Sequence, residues 1–372
     1  MRPTPAWMRY FAAATIALCV AACAHDEDLV LPTPEGHALA IGLNEVDPEH
    51  YGGWSGALTG CEPDVEDMKG IAVAAGFETT TLITQAATRH AVLEQLSQYA
   101  QKLKADDVLV VSYSGHGGNV LDHNGDETDH LDETWVLYDG QLIDDELAQA
   151  WSKFREGVRI FFLSDSCHSG TVLRMPPQDT ETPEPRMLVL ADKWKETRRL
   201  EIKNEAALLE DPRMLEVAST QSAVGILLER QRARLRNPDA PPPPQDEEPG
   251  IFTIRAMPPE VAVNTYEMHR DFYKEKGEAA PKESDVVIKA SVISISGCQD
   301  DQFSADLGFN GLFTFKLKEV WNAGAFQGGH PDFHEQIRDA VVDVNPDQSP
   351  AFNTAGKPDL GFEAERPYTI PE

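Results

Sequence analysis

The sequence predicts an α/β fold in which a mostly parallel sheet is sandwiched by helices. Two observations carry this. Short segments that are apolar throughout alternate with segments whose apolar residues recur at helical spacing, and strands buried on both faces belong to parallel sheets covered on each side. In addition, two glycine-flanked polar stretches, residues 114–118 and 165–170, each follow directly on such a strand, and ligands of open parallel sheets gather at strand carboxyl ends.

The elements follow in order. "HALAIGLN" (37–44) reads as the first strand. In "EPDVEDMKGIAVAAGF", Val65, Met68, Ile71, Ala72 and Ala75 share one helical face and Gly76 stops the helix. "ETTTLI" is β-rich and "RHAVLEQLSQYAQKL" is helical. "DDVLVVSYSGHGG" is a buried strand running into glycines, "ETWVLYDG" a short strand pair, "IDDELAQAWSKF" a helix and "VRIFFLSDSC" another buried strand. From about Met175 the pattern breaks. Residues 176–186 are rich in Pro, Glu and Thr, 187–236 are helical and highly charged, and "PDAPPPPQDEEPG" (238–250) reads as an extended linker. Regularity resumes with the strand "DVVIKASVISISGC" (285–298) and the helices "NGLFTFKLKEVWNAG" and "DFHEQIRDAVVDV", followed by a Pro- and Gly-rich tail. The expected division is a signal peptide over 1–22, a linker over 23–36, a large portion over 37–175, an insertion over 176–284, a small portion over 285–345 and a tail over 346–372.

Among the 372 residues, 62 acidic against 32 basic side chains give a net charge of −30. This disfavours nucleic acid and anionic membrane surfaces as partners and is compatible with cationic peptides. Arg2 and Arg9 precede an apolar run from Tyr10 to Ala22 that is short for a membrane span and has the order of an export signal. It ends in "VAAC", similar to the lipobox of bacterial lipoproteins, with Cys23 as the lipidated residue. Export to the periplasm or anchorage at the outer membrane of a bacterium is expected, with the membrane touched through the lipid alone. Of the five cysteines, Cys61, Cys167 and Cys298 then remain, an odd number that leaves at least one free thiol. No CxxC pair is present, which argues against a thiolate zinc site.

The chemistry centres on His116 in "SGHGG" and Cys167 in "DSCHSG", 51 residues later. A cysteine nucleophile needs a nearby base, amide donors for an oxyanion and a place at a strand end, and the glycines allow close backbone approach. The stretches "ALAIGLN", "LTGCEPDVEDM", "VVSYSGHGG", "DETWVLYDGQLIDDEL", "FFLSDSCHSG" and "SISGCQDDQFSAD" together resemble the caspase–haemoglobinase clan of cysteine peptidases, specifically its metacaspase-like bacterial branch.

The resemblance implies a caspase-haemoglobinase-like fold and a cysteine endopeptidase that cuts after Arg or Lys. Cys167 is the implied nucleophile, His116 its partner, and the amides of Gly117 and Cys167 the oxyanion donors, with no third triad member required. Asp64 and Asp165 are carried over as acids that would grip a basic substrate residue, with Ser114 as a neutral lining residue and Asp300 as a third acid; paired carboxylates suit the planar guanidinium fork. On residues alone, Asp64 also suits a helix N-terminus and Asp165 a turn. No cofactor is needed for the chemistry. Calcium enters as an activator through the family's separated acids, mapped to Asp132, Asp144 and Asp145, although Arg174 stands where the family has a further acid. Asp122, Asn124, Asp126 and Glu133 also fall at EF-hand-like spacing, but Glu127 occupies the glycine position and no helix precedes them. If the enzyme cuts after Arg, the insertion offers Arg198, Arg199, Arg230, Arg232, Arg234 and Arg236 for self-processing. The resemblance implies a monomer with protein or peptide substrates. The alternatives are a clan peptidase with another pocket preference and a non-catalytic caspase-fold lipoprotein that binds a partner.

Overall fold

A computed structural model describes residues 33–127, 130–167, 253–282, 285–299 and 302–372. The signal segment, Cys23, His168, Arg174, Asp300, the six arginines above and most of the insertion lie outside the described residues.

The central sheet has six strands: β1 (Gly36–Gly42), β2 (Glu78–Ile83), β3 (Val108–Ser114), β7 (Arg159–Asp165), β9 (Ser291–Ser296) and β11 (Ala351–Gly356). Their spatial order is β11-β9-β7-β3-β1-β2, parallel throughout except for β11, which pairs antiparallel with β9. The four inner strands hold the apolar runs, as burial on both faces requires. Alternation assigns their residues to two cores. Leu39, Ile41, Leu109, Val111 and Ile160 join one cluster, and Ala38, Ala40, Val108, Val110, Phe161 and Ile293 join the other.

On the first face lie the helices α2 (Arg89–Lys102) and α3 (Asp144–Ser152) and a small antiparallel sheet of β4 (Gly117–Leu121), β5 (Leu131–Leu137) and β6 (Gly140–Ile143). Trp135 of β5 stacks on Tyr113 of β3 at 4.4 Å and ties the two sheets together. On the second face lie α1 (Cys61–Ala74), α6 (Leu312–Trp321) and α7 (His330–Val344), which supply Val65, Met68, Phe313, Leu317, Phe333 and Ile337 to the core.

Two expectations need correction. The insertion does not extend to residue 284. The short β8 (Thr253–Ile254), α4 (Pro259–Met268) and α5 (Arg270–Ala279) belong to the fold, with Met257, Ala262, Tyr266 and Tyr273 buried in the first core. The paired prolines 258 and 259 that resemble linker sequence start α4, where proline's fixed φ costs nothing. The stretch after Asn345 is no loose tail either. It forms the edge strand β11 and α8 (Leu360–Ala364), and it buries Phe362 and Tyr368. Its few large apolar residues are widely spaced, so their joint burial leaves no periodic signal.

Phe362 packs edge-on against His330 at 4.9 Å, and its carbonyl accepts a hydrogen bond from His330 Nδ1. Phe362→Ala is expected to cost about 3–5 kcal/mol, read as a lower denaturant midpoint with an unchanged slope. An unchanged midpoint would mean that this segment is an appendage.

Candidate functional site

β3 and β7 are neighbours in register, with Ser114 opposite Asp165, so the two glycine-flanked stretches emerge side by side. After Ser114 the chain turns through Gly115 and His116 into β4, and the Tyr113 hydroxyl fixes the turn by donating to the His116 carbonyl at 2.8 Å. After Asp165 come Ser166 and Cys167. The two turns touch so closely that a Cβ at Gly117 would lie 1.4 Å from the Cys167 carbonyl oxygen. Glycine is therefore required at 117 by contact alone.

His116 and Cys167 are both buried. His116 Nε2 lies 3.0 Å from the carbonyl oxygen of Gly56, and Trp54 packs over the ring at 4.9 Å. A carbonyl only accepts, so Nε2 carries the proton and Nδ1 presents its lone pair. Nδ1 is buried and has no hydrogen-bond partner. Burial lowers the imidazole pKa to about 4, against the pull of the Gly56 carbonyl, so the ring is neutral near pH 7. The sequence reading expected no third member beside His116 and Cys167. The ring is oriented by a backbone carbonyl, that of Gly56, which no side-chain motif can announce. At Cys167, the Ser304 N–H donates to the sulfur at 2.8 Å.

Asp64, Ser114 and Asp165 converge as expected, but around a residue that the sequence reading left unnoticed. Arg255, just after β8, is fully buried. Its Nη1 lies 2.8 Å from Asp64 and 3.2 Å from Asp165, and Nη2 lies 2.9 Å from Asp306. Nη1 also donates to the Ser114 hydroxyl at 2.8 Å. Among the described residues the third carboxylate is thus Asp306, on the two-residue β10 (Ala305–Asp306) that pairs antiparallel with β8.

Each acid has its own support. Asn310 Nδ2 and the Gly311 N–H donate to Asp64, Thr314 and Ser304 donate to Asp165, and the amides of Gly60 and Gly308 donate to Asp306. Gly311 fits because a Cβ there would lie 2.1 Å from an Asp165 oxygen. Burial opposes the charge of Arg255, but Asp165, Asp64 and Asp306 outweigh it and hold the guanidinium protonated. With three acids around one cation the cluster remains anionic. Burial and the nearby Asp165 raise the Asp64 pKa to about 7 despite Arg255.

The backbone of Arg255 is placed as particularly as its side chain. Its carbonyl oxygen accepts from the N–H of Gly117 at 3.0 Å and of Cys167 at 3.2 Å, the two amides expected to form an oxyanion site. Its own N–H donates to the Ser304 carbonyl at 2.9 Å.

The acids expected to bind calcium divide between two groups. Asp132 lies with Asp122 and Asp126, and Asp144 with Glu127 and Glu133, each set presenting oxygens within 4.8 Å of one another. Asp145 accepts from the Asn124 side chain. Asp132 is buried and its Oδ2 has no hydrogen-bond partner. Burial and the surrounding Asp144, Asp122, Asp145 and Asp126 push its pKa up to about 9. An all-oxygen cluster with an unsatisfied buried carboxylate suits a hard cation.

The profile of the caspase domain (Peptidase_C14) matches residues 35–358. The chain is 37% identical over 167 residues to Metacaspase III c of Phaeodactylum tricornutum, covering 41% of this chain and 48% of that protein. It is 29% identical over 323 residues to Metacaspase-1 of Schizosaccharomyces pombe, covering 81% and 62%. The matches thus span about half to three fifths of these relatives' lengths. Among solved structures, protein GSU0716 from Geobacter sulfurreducens is 39% identical, with a TM-score of 0.67 over 91% of this chain and all of that one. With the profile covering most of its length, the chain belongs to the caspase domain family, on its metacaspase-like side.

Proposed function

We propose that this protein is a cysteine endopeptidase that hydrolyses peptide bonds after arginine, and more slowly after lysine, and that it processes itself. The observation that carries the reading is Arg255, whose guanidinium sits in the carboxylate pocket while its carbonyl oxygen accepts from the two strand-end amides. A substrate's basic residue would take the same place. Cys167 Sγ attacks the carbonyl carbon after transferring its proton to His116 Nδ1, and the N–H groups of Gly117 and Cys167 hold the oxyanion. His116 then protonates the leaving amine. Water, deprotonated by the same nitrogen, hydrolyses the thioester and frees the thiol. The preference for arginine over lysine follows from the two ends of the fork meeting different carboxylates, Nη2 on Asp306 and Nη1 on Asp64 and Asp165. A single ammonium cannot reproduce that.

The pocket is built to be filled by a cation, since three clustered buried carboxylates without one cannot all stay ionised. Calcium is proposed as a ligand of the separate acidic cluster, held by Asp132 with Asp122 and Asp126. There it would supply charge neutralisation away from the reacting atoms. The N-terminal segment supports export, with Cys23 as the point of lipid attachment. The rival reading, a non-catalytic binding protein, has no use for a buried, unpaired imidazole nitrogen one residue from the glycine that touches the Cys167 backbone.

Fluorogenic peptides ending in Arg, Lys or Asp test the chemistry. Hydrolysis after Arg is expected to exceed that after Lys and to fall at least about a thousandfold in Cys167→Ala. Asp306→Asn is expected to narrow the Arg-to-Lys preference by about tenfold or more, because a charge-assisted bond is lost. Cleavage after Asp alone would overturn the pocket assignment.

Arg255→Gln is expected to lower stability by about 3–5 kcal/mol at neutral pH, because it strands buried carboxylates. Its effect on pH dependence has a definite sign. Without the guanidinium the Asp64 pKa rises beyond about 7, against 3.8 in the unfolded chain. A group whose folded pKa is raised contributes stability at low pH and loses it as pH rises through the folded value. The deficit of the variant should therefore grow as pH rises above about 7 and level off below it, where Asp64 is protonated with or without the guanidinium, as thermal melts on both sides of that value would record.

For calcium, Asp132→Asn should raise the melting temperature in chelator near neutral pH, since it removes the cost of holding that buried carboxylate protonated, and should abolish the stabilisation that calcium gives the wild type. A wild-type melting temperature indifferent to calcium would refute the cluster as a binding site.

A further inference from the structure

We propose that the peptide bond between Arg255 and Ala256 is this chain's own cleavage site, and that until it is cut the extended segment 253–257 fills the substrate cleft. This rests on the peptidase reading above and adds which bond is processed and what occupies the cleft beforehand.

The segment is held on both sides as a bound peptide would be. On one side Ile254 pairs antiparallel with Ala305 and Thr253 with Asp306, and the Arg255 N–H donates to the Ser304 carbonyl. On the other, Ala256 bridges in parallel to Gly117. Gly117 donates to the Arg255 carbonyl and accepts from the Met257 N–H at 2.8 Å. This is strand addition, in which backbone bonds give affinity and alternate side chains give selection.

Those side chains do alternate. Arg255 enters the acidic pocket, while Ile254 and Ala256 pack with Cys167, Cys298 and Phe303. A purely structural arginine could satisfy Asp64, Asp165 and Asp306 with its side chain alone. It would have no reason to place its carbonyl oxygen on the amides of both Gly117 and Cys167.

Chemically, the Arg255 carbonyl carbon forms a bond to Cys167 Sγ as the thiol proton moves to His116. The C–N bond to Ala256 breaks, and the Ala256 nitrogen leaves with that proton as a free amine. Water then cleaves the thioester, giving an Arg255 carboxylate and restoring the thiol. The new carboxylate adds negative charge beside an already anionic cluster and thereby weakens the hold of the cleft on its own product. The cleft then opens to other chains. Its contacts with the self-strand define the preferred sequence: a β-branched apolar residue before the arginine, where Ile254 lies, and a small residue after it, where Ala256 lies.

The test uses the full chain, purified and incubated with calcium and with chelator, its products identified by intact mass and terminal sequencing and an Ile-Arg fluorogenic peptide assayed in parallel. Because Arg255→Gln is expected to be destabilised, the informative variant is Ala256→Pro, which keeps the guanidinium in its pocket but makes the bond a poor substrate. Cys167→Ala serves as the uncleaved reference. The wild type should yield a fragment beginning Ala-Met-Pro-Pro at residue 256. Both variants should stay intact there, and Ala256→Pro should hydrolyse the peptide at least tenfold more slowly than the cut wild type. Hydrolysis of the peptide by a wild type uncut at 255–256, or full activity in Ala256→Pro, would overturn this inference and leave the peptidase reading standing. No hydrolysis of either chain or peptide in any condition would overturn both.

Discussion

A guanidinium with no access to water, set among three carboxylates, is the constraint around which the rest of the molecule is arranged. Asp64 comes from the first turn of α1, Ser114 and Asp165 from the ends of adjacent parallel strands, and Asp306 from β10. The cation comes from a strand that follows the long charged segment of the chain. In a low-dielectric interior none of these charges is tolerable alone. The cluster therefore couples four elements of the sheet and the second core to the segment between 253 and 257, and the same coupling brings the Arg255 carbonyl onto the amides of Gly117 and Cys167. Fold stability and site geometry are here one electrostatic problem.

Where the candidate site was legible in the sequence, the reason is local. His116 and Cys167 each follow a run of apolar residues, and the parallel register of β3 and β7 turns those sequence positions into spatial neighbours. Asp64 and Asp165 were readable from the resemblance, and the structure gives both a part in the pocket and neither an exposed turn. Asp64 satisfies its helix-start reading as well, since it lies in the first turn of α1. The strand-helix alternation gave the order of the sheet elements because buried parallel strands have no polar face to blur the pattern.

What stayed hidden shares a different character. Asp306 sits on a strand of two residues and Arg255 directly follows another, both too short for any period. Their significance arises from pairing across some fifty positions. Gly56 acts through its carbonyl oxygen, which every residue has. The segment after Asn345 mixes prolines and glycines with isolated aromatics, and only the completed core shows that Phe362 and Tyr368 fill it. Asp300, read as a third acid from "SGCQDDQ", lies outside the described residues, and among those Asp306 joins the cluster because β10 pairs with β8.

On the proposed peptidase reading, the arrangement also resolves a conflict between folding and substrate binding. A pocket anionic enough to grip an arginine is costly to fold empty, and the Asp64 pKa of about 7 reflects burial first and the neighbouring Asp165 second, even with one cation in place. Supplying the cation from the same chain removes that cost during folding, but a tethered ligand is present at millimolar effective concentration and would exclude any ordinary substrate. The tether can end its own advantage only if it is itself cleavable, and that requires its carbonyl to lie where the reaction occurs. An arginine placed merely to neutralise the acids would leave the site folded and permanently blocked. With its carbonyl on the amides of Gly117 and Cys167, the residue that supplies the cation would, on the proposed reading, also supply the first bond broken.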